Sequence, residues 1–198
     1  PPALGLNTLA EEVATALQCY DEPPSEWWIG GQALPCQPKP YVIGLIPWVS
    51  QRSGGASAED PLATARQMIE AGAEIIELEI DANVRFGTLT SEDKRQLVAS
   101  IKAIAGEARA IVAVATAEPE IAALAIQAGI AFVDEMVSIQ RHSLGPIAAQ
   151  CKVGLVLRPD EATATAERLD SLSLKMAEAQ AQGVDKRCIA IDPILPPD

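Results

Sequence analysis

Six short apolar runs, each separated from the next by a helix-like stretch, constrain the fold of this chain more than any other feature. The runs are Val42–Ile46, Ile75–Ile80, Ile111–Ala115, Ala131–Met136, Val153–Leu157 and Cys188–Ile191. Continuously apolar strands are buried on both faces, and strands that alternate with helices form parallel sheets covered by those helices. The sequence therefore predicts an α/β domain with six parallel strands.

The stretches between the runs carry start and stop signals of helices. Asp, Ser or Thr at the cap, proline in the first turn and glycine past the last turn are the usual signals. They occur as Asp60-Pro61 with Gly72, Thr90–Asp93, Pro119 with Gly129, Ser143–Gln150 and Asp160 with Gly183. Five helices are therefore expected between the six strands.

Two parallel architectures fit six strands. A doubly wound sheet is disfavoured, because no GxGxxG pattern follows the first strand. A (β/α)8 TIM barrel needs about 250 residues, whereas this chain has 198. We therefore predict a TIM-barrel type domain over residues 41–198 that is incomplete, with six of eight strands. Residues 1–40 are predicted to form an extension with a helix at Leu9–Cys19 and a proline-rich connector.

Composition excludes several classes of partner. The formal net charge of −12 argues against binding to nucleic acid or to anionic membranes, since both need a basic surface. No apolar run is as long as a membrane span. The four cysteines have no CxxC spacing, which predicts reduced, buried thiols in a cytoplasmic protein without structural zinc. The start at Pro1 predicts part of a longer polypeptide, and a homodimer is the other assembly considered.

Charged residues end four of the predicted strands. In the second strand Glu77, Glu79 and Asp81 alternate with apolar residues, so the three carboxylates share one face. The later strands end in Asp134, Arg158 and Asp192. Because ligand sites of parallel α/β folds lie at the carboxyl ends of strands, the sequence predicts a small-molecule site at this edge.

Carboxylates at such an edge have three chemical uses. They accept hydrogen bonds from an amino-heterocycle such as a pterin, they hold Mg²⁺, or crowding raises one carboxyl pKa for acid–base work. An internal ion-pair network around Arg158 is the structural alternative. His142 is interpreted as a surface residue. Trp27 and Trp28 are expected to close the bottom of the barrel or to pack on the first helix.

Several segments together carry a family resemblance. They are Trp28–Gly31, Pro40–Ile46, Ser53–Gly55, Ala63–Glu77 and Gly183–Pro197. In this order they resemble the dihydropteroate synthase superfamily, in particular its divergent dihydropteroate synthase-like branch. The resemblance implies a pterin-binding barrel and a transferase of folate biosynthesis that condenses a dihydropterin diphosphate with p-aminobenzoate. Mg²⁺ would accompany such a diphosphate substrate.

The resemblance also assigns individual residues. Asp192 matches the pterin-binding aspartate of the sixth strand, and Asp134 falls where an asparagine of the fourth strand contacts the pterin. Arg85 loosely matches an arginine of the second active-site loop. By contrast, Pro47 replaces an asparagine of the first strand and Ala115 replaces an aspartate of the third.

These replacements keep other interpretations open. One is a non-catalytic barrel that serves as an interaction or regulatory module. Another is a pterin-dependent methyltransferase, which would need a corrinoid partner. A third is a type I dehydroquinate dehydratase, for which Lys152 is a poor Schiff-base lysine at the edge of its strand. Fold analogy alone does not separate these chemistries.

Overall fold

The computed structural model describes residues 26–29, 32–35, 41–48, 60–81, 83–136, 143–159 and 165–192. These residues form eight strands and five helices. The strands are β1 (Glu26–Ile29), β2 (Gln32–Pro35), β3 (Ile43–Trp48), β4 (Ile75–Ile80), β5 (Ile111–Thr116), β6 (Phe132–Glu135), β7 (Gly154–Leu157) and β8 (Ile189–Ile191). The helices are α1 (Pro61–Glu70), α2 (Ser91–Glu107), α3 (Pro119–Ala128), α4 (Gly145–Cys151) and α5 (Thr165–Ala181).

Strands β3 to β8 form one six-stranded parallel sheet in sequence order. A doubly wound sheet reverses its strand order at a switch point, and this sheet does not. A helix follows each of the first five strands, as in a TIM barrel. The predicted α/β class and the six strands of a barrel-type fold are confirmed, and β3 and β8 are the edge strands within the described residues.

The helix starts follow the local chemistry expected from the sequence. Asp60 caps α1, since its Oδ1 accepts a hydrogen bond from the Leu62 amide at 3.1 Å. Thr90 and Asp93 form a capping box at α2, in which the side chain of each residue accepts from the backbone amide of the other. Both arrangements satisfy amide groups that the first helical turn leaves without partners.

Gly129 ends α3 in a left-handed conformation with φ of 103°. A Cβ at this position is strained even where space is open, so we expect Gly129→Ala to lower the free energy of unfolding by about 1 kcal/mol. Gly106 lies inside α2, where a Cβ would meet no neighbouring atom within 4 Å. Gly106→Ala is the control, and we expect it to stabilise by roughly 0.5–1 kcal/mol. Urea unfolding of both variants measures the difference in stability. Equal effects of the two substitutions would contradict the left-handed conformation of Gly129.

The strands bury both faces, but against different partners. Outward-facing residues such as Ile76, Leu78 and Val114 pack under the helices in the larger core. Inward-facing residues form a smaller apolar cluster, in which Ile75 and Phe132 are the first residues of their strands: Ile75, Ala113, Phe132 and Val156. The barrel interior is therefore apolar at its amino end, which leaves the charged strand ends at the other.

The antiparallel hairpin β1–β2 closes this amino end. Leu34 belongs to the interior cluster, and the ring of Trp27 lies 5.1 Å from that of Phe132. Trp27 thus packs at the bottom of the barrel, which is one of the two positions that the sequence interpretation considered. The hairpin itself was not predicted, because a proline-rich segment disfavours long strands and these strands have four residues each.

Several sequence predictions fall outside the described residues, namely the helix at Leu9–Cys19, His142 and the cap at Asp160. The prediction of buried thiols is wrong for Cys151, which is exposed because it lies in the last turn of α4. In the described part of the chain, no helix combines the length and apolar character of a membrane span.

Candidate ligand-binding site at the carboxyl ends of the strands

Five of the six candidate residues lie on the inward face or the rim of the sheet at its carboxyl end. Glu77 and Glu79 alternate along β4 with Leu78 and Ile80, which face the helices. The other members are Asp134 in β6, Arg158 directly after β7 and Asp192 directly after β8. Asp81 leaves this face, because it lies past the end of β4 and its Oδ1 accepts from the Asn83 amide at 2.7 Å.

Arg158 joins the carboxylates of three strands. Its Nη2 lies 2.6 Å from Asp134 Oδ2 and 3.4 Å from Glu77 Oε1, and its Nε lies 3.2 Å from Asp192 Oδ2. Glu77 and Asp134 are 1% and 3% exposed, whereas the Asp192 side chain is 40% exposed. The network therefore runs from a buried pair at the base to an open carboxylate at the rim.

Burial sets the protonation of the two inner carboxyls. Loss of solvation, with the negative charge of Asp134, raises the pKa of Glu77 to about 8, although Arg158 opposes the shift. Burial also raises the pKa of Asp134 to about 6, again against the pull of Arg158. At neutral pH Glu77 is therefore mostly a neutral acid, while Asp134 is mostly the carboxylate that pairs with Arg158.

Asp134 has two neighbours that bind its side chain. Its Oδ2 accepts a hydrogen bond from Arg158 at 2.6 Å, and the protonated carboxyl of Glu77 donates to the same carboxylate. Its Oδ1 is buried and accepts from no N–H group of the described residues. Because a carboxylate oxygen can accept more than one hydrogen bond, Oδ1 can accept from an N–H group of a ligand.

Arg85, the sixth candidate, does not join the cluster. It lies in the loop after β4, where its Nη1 is 3.2 Å from Oε1 of Glu118. Glu118 also accepts from the Phe86 amide at 3.4 Å, so it ties this loop to the end of β5. Sequence analysis missed Glu118; its position two residues after a buried strand and directly before Pro119 was the available signal.

Pro47, Glu79 and Ala115 lie side by side in register on β3, β4 and β5. Glu79 is half-buried, and its negative charge contributes to the raised pKa of Glu77. The mouth of the sheet thus has two parts: a charged network on β6–β8 and a single carboxylate between apolar neighbours on β3–β5.

The described residues do not provide the set of ligands that a bound Mg²⁺ would need. The described residues contain no group of three or more His, Cys, Asp or Glu arranged to hold a metal ion. Asp134 and Asp192 instead make ion pairs with Arg158. Carboxylates held by a guanidinium do not suit a cation that prefers oxygen ligands, so we assign no step of the chemistry to a metal.

A separate cavity of about 400 Å³ lies at the opposite end of the sheet. Its lining includes Lys152 and Val153 just before β7, Asp185 and Arg187 just before β8, and Trp28 of the hairpin. The cavity is therefore separate from the cluster of charged residues at the carboxyl ends of the strands.

The sheet and its strand-end cluster define a TIM-barrel type α/β domain with a site for a small molecule. The sequence matches the family model described as pterin binding enzyme over residues 49–196. The chain belongs to this family. A search of curated proteins found no match.

Similar solved structures include several dihydropteroate synthases. The enzyme from Thermus thermophilus has 22% identity and a TM-score of 0.64, covering 85% of this chain and 64% of its own. The Coxiella burnetii enzyme, solved with pteroic acid, has 19% identity and a TM-score of 0.67, with 86% and 66% covered. The Xanthomonas albilineans enzyme, solved with 7,8-dihydropteroate, has 19% identity and a TM-score of 0.68, with 86% and 65% covered.

This likeness establishes the fold. The chain spans just under two thirds of the length of these enzymes, between 64% and 66%. The matching part of this chain is a six-stranded parallel sheet. Its strands lie side by side in sequence order, as consecutive strands of a barrel do.

Proposed function

We propose that this chain binds a pterin at the carboxyl ends of β4 and β6–β8. The observation that carries the proposal is the buried Oδ1 of Asp134, which accepts from no N–H group of the described residues and lies beside the ion-pair network of Arg158. Membership of the pterin binding enzyme family supports the ligand class. The Coxiella and Xanthomonas enzymes, solved with pteroic acid and 7,8-dihydropteroate, support the same choice.

The chemistry of a pterin suits these residues. Its pyrimidine ring presents a ring N–H and an amino group side by side, and a carboxylate accepts from both kinds of donor. Asp134 Oδ1 would accept from one of them at the buried end of the site. Asp192, at the open rim, would accept from a second group of the ligand.

Arg158 would act as a positioning residue. Its contacts with Glu77, Asp134 and Asp192 fix three carboxyl groups on different strands before any ligand arrives. Binding then needs little rearrangement of side chains, which lowers its entropic cost. In this role the ion-pair network of Arg158 prepares the site for a ligand, in addition to any stabilisation of the fold.

The finer proposal is the synthase reaction, in which p-aminobenzoate displaces diphosphate from a dihydropterin diphosphate. Such a reaction relies on electrostatic stabilisation of the leaving group rather than on a covalent nucleophile. The test is turnover with both substrates, measured as release of diphosphate. Binding of pterin without turnover would support the pterin site and contradict the synthase reaction.

We expect Asp192→Ala to weaken pterin binding at least about tenfold, because a charged acceptor is lost at the rim and such hydrogen bonds contribute about 1.5–3 kcal/mol. Calorimetric titration of the intact chain measures the change. Asp185→Ala is the matched control, since Asp185 lies at the opposite end of the sheet next to Arg187. Equal affinities for Asp192→Ala and the parent protein would refute the assignment of Asp192.

A further inference from the structure

Arg158 lies where β7 ends and the chain leaves the sheet. The Asp192 amide donates to the carbonyl oxygen of Leu157 at 2.9 Å, which continues the ladder between β7 and β8. Arg158 comes next, and it is followed by Pro159, which has no amide hydrogen. Pro159 therefore cannot fix this part of the backbone through an amide, whereas the carbonyl oxygen of Arg158 can accept a hydrogen bond.

Lys175 supplies that hydrogen bond from the helical side of the sheet. It is half-buried in α5, whose residues Leu172 and Ala179 pack in the larger core under the helices. Its Nζ donates to the carbonyl oxygen of Arg158 at 2.8 Å. Such a bond is charge-assisted and stronger than one between neutral groups. The guanidinium of Arg158 instead reaches the carboxylates on the inward face, so Lys175 holds the backbone of the residue whose side chain organises the site.

Lys175 also interacts with the end of β6, through Glu135. Successive side chains of a strand point to opposite faces, so Glu135 faces the helices while Asp134 faces inwards. Burial raises the pKa of Glu135, and the positive charge of Lys175 and a hydrogen bond from the Leu144 backbone oppose this rise. Lys175 therefore connects the ends of the two strands that carry the closely paired Asp134 and Arg158, at 2.6 Å.

We propose that Lys175 is a positioning residue of the pterin site, although it lies on the helical side of the sheet. By holding the carbonyl oxygen of Arg158, it fixes the direction in which the guanidinium leaves β7, and with it the ion pair to Asp134. The inference rests on the proposed pterin site and adds to it a residue that acts through Arg158 rather than on the ligand. Without this support, Asp134 would have to be reoriented when a ligand binds, which weakens binding.

The first test is calorimetric titration of the intact chain with 7,8-dihydropteroate. Lys175→Met removes the donor and its charge but keeps a long apolar side chain, and we expect it to weaken binding roughly five- to tenfold. Lys175→Arg keeps a cationic donor and should restore most of the affinity. Lys102→Met removes a lysine from the exposed face of α2 and should leave the affinity unchanged.

The second test needs no ligand, because it uses the effect of Arg158 on Glu77. Burial and the charge of Asp134 raise the pKa of Glu77 to about 8, the charge of Arg158 limits this rise, and Glu79 is the other charged group that faces it. If the guanidinium moves away in Lys175→Met, the pKa of Glu77 rises further. Stability falls with rising pH until the folded pKa is passed, so the pH at which the fall levels off should increase by at least about half a unit.

Urea midpoints between about pH 6.5 and 9.5 measure this shift. A general loss of packing in Lys175→Met would lower the stability at every pH without moving the point at which the fall levels off. Adding Glu77→Gln should abolish the shift, because the titrating group is gone. A shift that persists in the double variant would belong to Glu135, and it would refute the action of Lys175 through Arg158.

The outcomes separate this inference from the proposed function. If the parent protein does not bind 7,8-dihydropteroate, the proposed pterin site fails, and the role of Lys175 in that site fails with it. If the parent binds but Lys175→Met binds as tightly, or Lys175→Arg loses as much affinity as Lys175→Met, the pterin site stands and the inference is refuted. A loss of affinity without the shift in pH would mean that Lys175 does not act through Arg158, which also refutes it.

Discussion

Replacing Arg158 by methionine is expected to lower the free energy of unfolding by about 3–5 kcal/mol at pH 7, because removing one partner of a buried ion pair leaves uncompensated charge. Asp134, at 3% exposure, would lose the hydrogen bond that its Oδ2 accepts from the guanidinium. Methionine keeps most of the apolar stem, so the loss reports charge rather than packing. For a domain of this size the melting temperature should fall by roughly 10 °C.

Two comparisons isolate the cause. Arg95→Met breaks an exposed pair with Glu92 on the surface of α2 and should change stability by no more than about 0.5 kcal/mol. Adding Asp134→Asn to Arg158→Met should recover part of the loss, since it removes the stranded carboxylate. Thermal and urea unfolding measure all three variants. A loss for Arg158→Met no larger than that for Arg95→Met would mean that the cluster is not buried as described.

The sequence was sufficient for the elements of this fold because each is determined locally. Apolar runs with glycine, proline and acidic caps between them specify strands and helices without reference to distant residues. Asp60, the Thr90–Asp93 box and Gly129 all act within a few residues of their own position. The strand ends followed from the same pattern, which is why Asp134, Arg158 and Asp192 were found.

Long-range pairing was not accessible in this way. Arg85 and Glu118 are 33 positions apart, and nothing local to either residue shows that they meet. The ion pair between Arg85 and Glu118 could therefore be recognised only from the structure. Similarly, the oxygen of Asp134 that stays open to a ligand depends on which oxygen Arg158 binds, and this is a property of several strands together. The hairpin β1–β2 was missed since its stabilising contact, Trp27 on Phe132, is about a hundred residues away in sequence.

The pH dependence of stability follows from the raised pKa of Glu77. This pKa is about 8 in the folded protein, against an ordinary value of 4.5, with burial as its main cause. Between these two values the folded state keeps a proton that the unfolded state has released. The free energy of unfolding therefore falls as pH rises through this range, by at most about 1.4 kcal/mol per pH unit, and levels off above the folded pKa.

Glu77→Gln should abolish this fall, because the amide stays neutral and has nearly the same shape. We expect the variant to be more stable than the parent by roughly 2–4 kcal/mol at pH 8.5, and similar to it near pH 4.5. Asp134, with a pKa raised to about 6, gives a fall of the same sign but mainly below pH 6.5. Between pH 6.5 and 8.5 the change in stability therefore reports the titration of Glu77 rather than that of Asp134. The other charged groups that face Glu77 are Glu79 and Arg158.

Urea midpoints at several values of pH in this interval provide the measurement. Asp185→Asn serves as the control, since the bond from Arg187 lowers the pKa of Asp185 to about 2, well outside the range. That variant should keep the slope of the parent, whereas Glu77→Gln should show almost none. A parent stability that stays level or rises between pH 6.5 and 8.5 would show that Glu77 is ionised in the folded protein. In that case Glu77 would carry a full negative charge beside Asp134. The carboxyl ends of the strands would then carry one more negative charge than they do with Glu77 protonated.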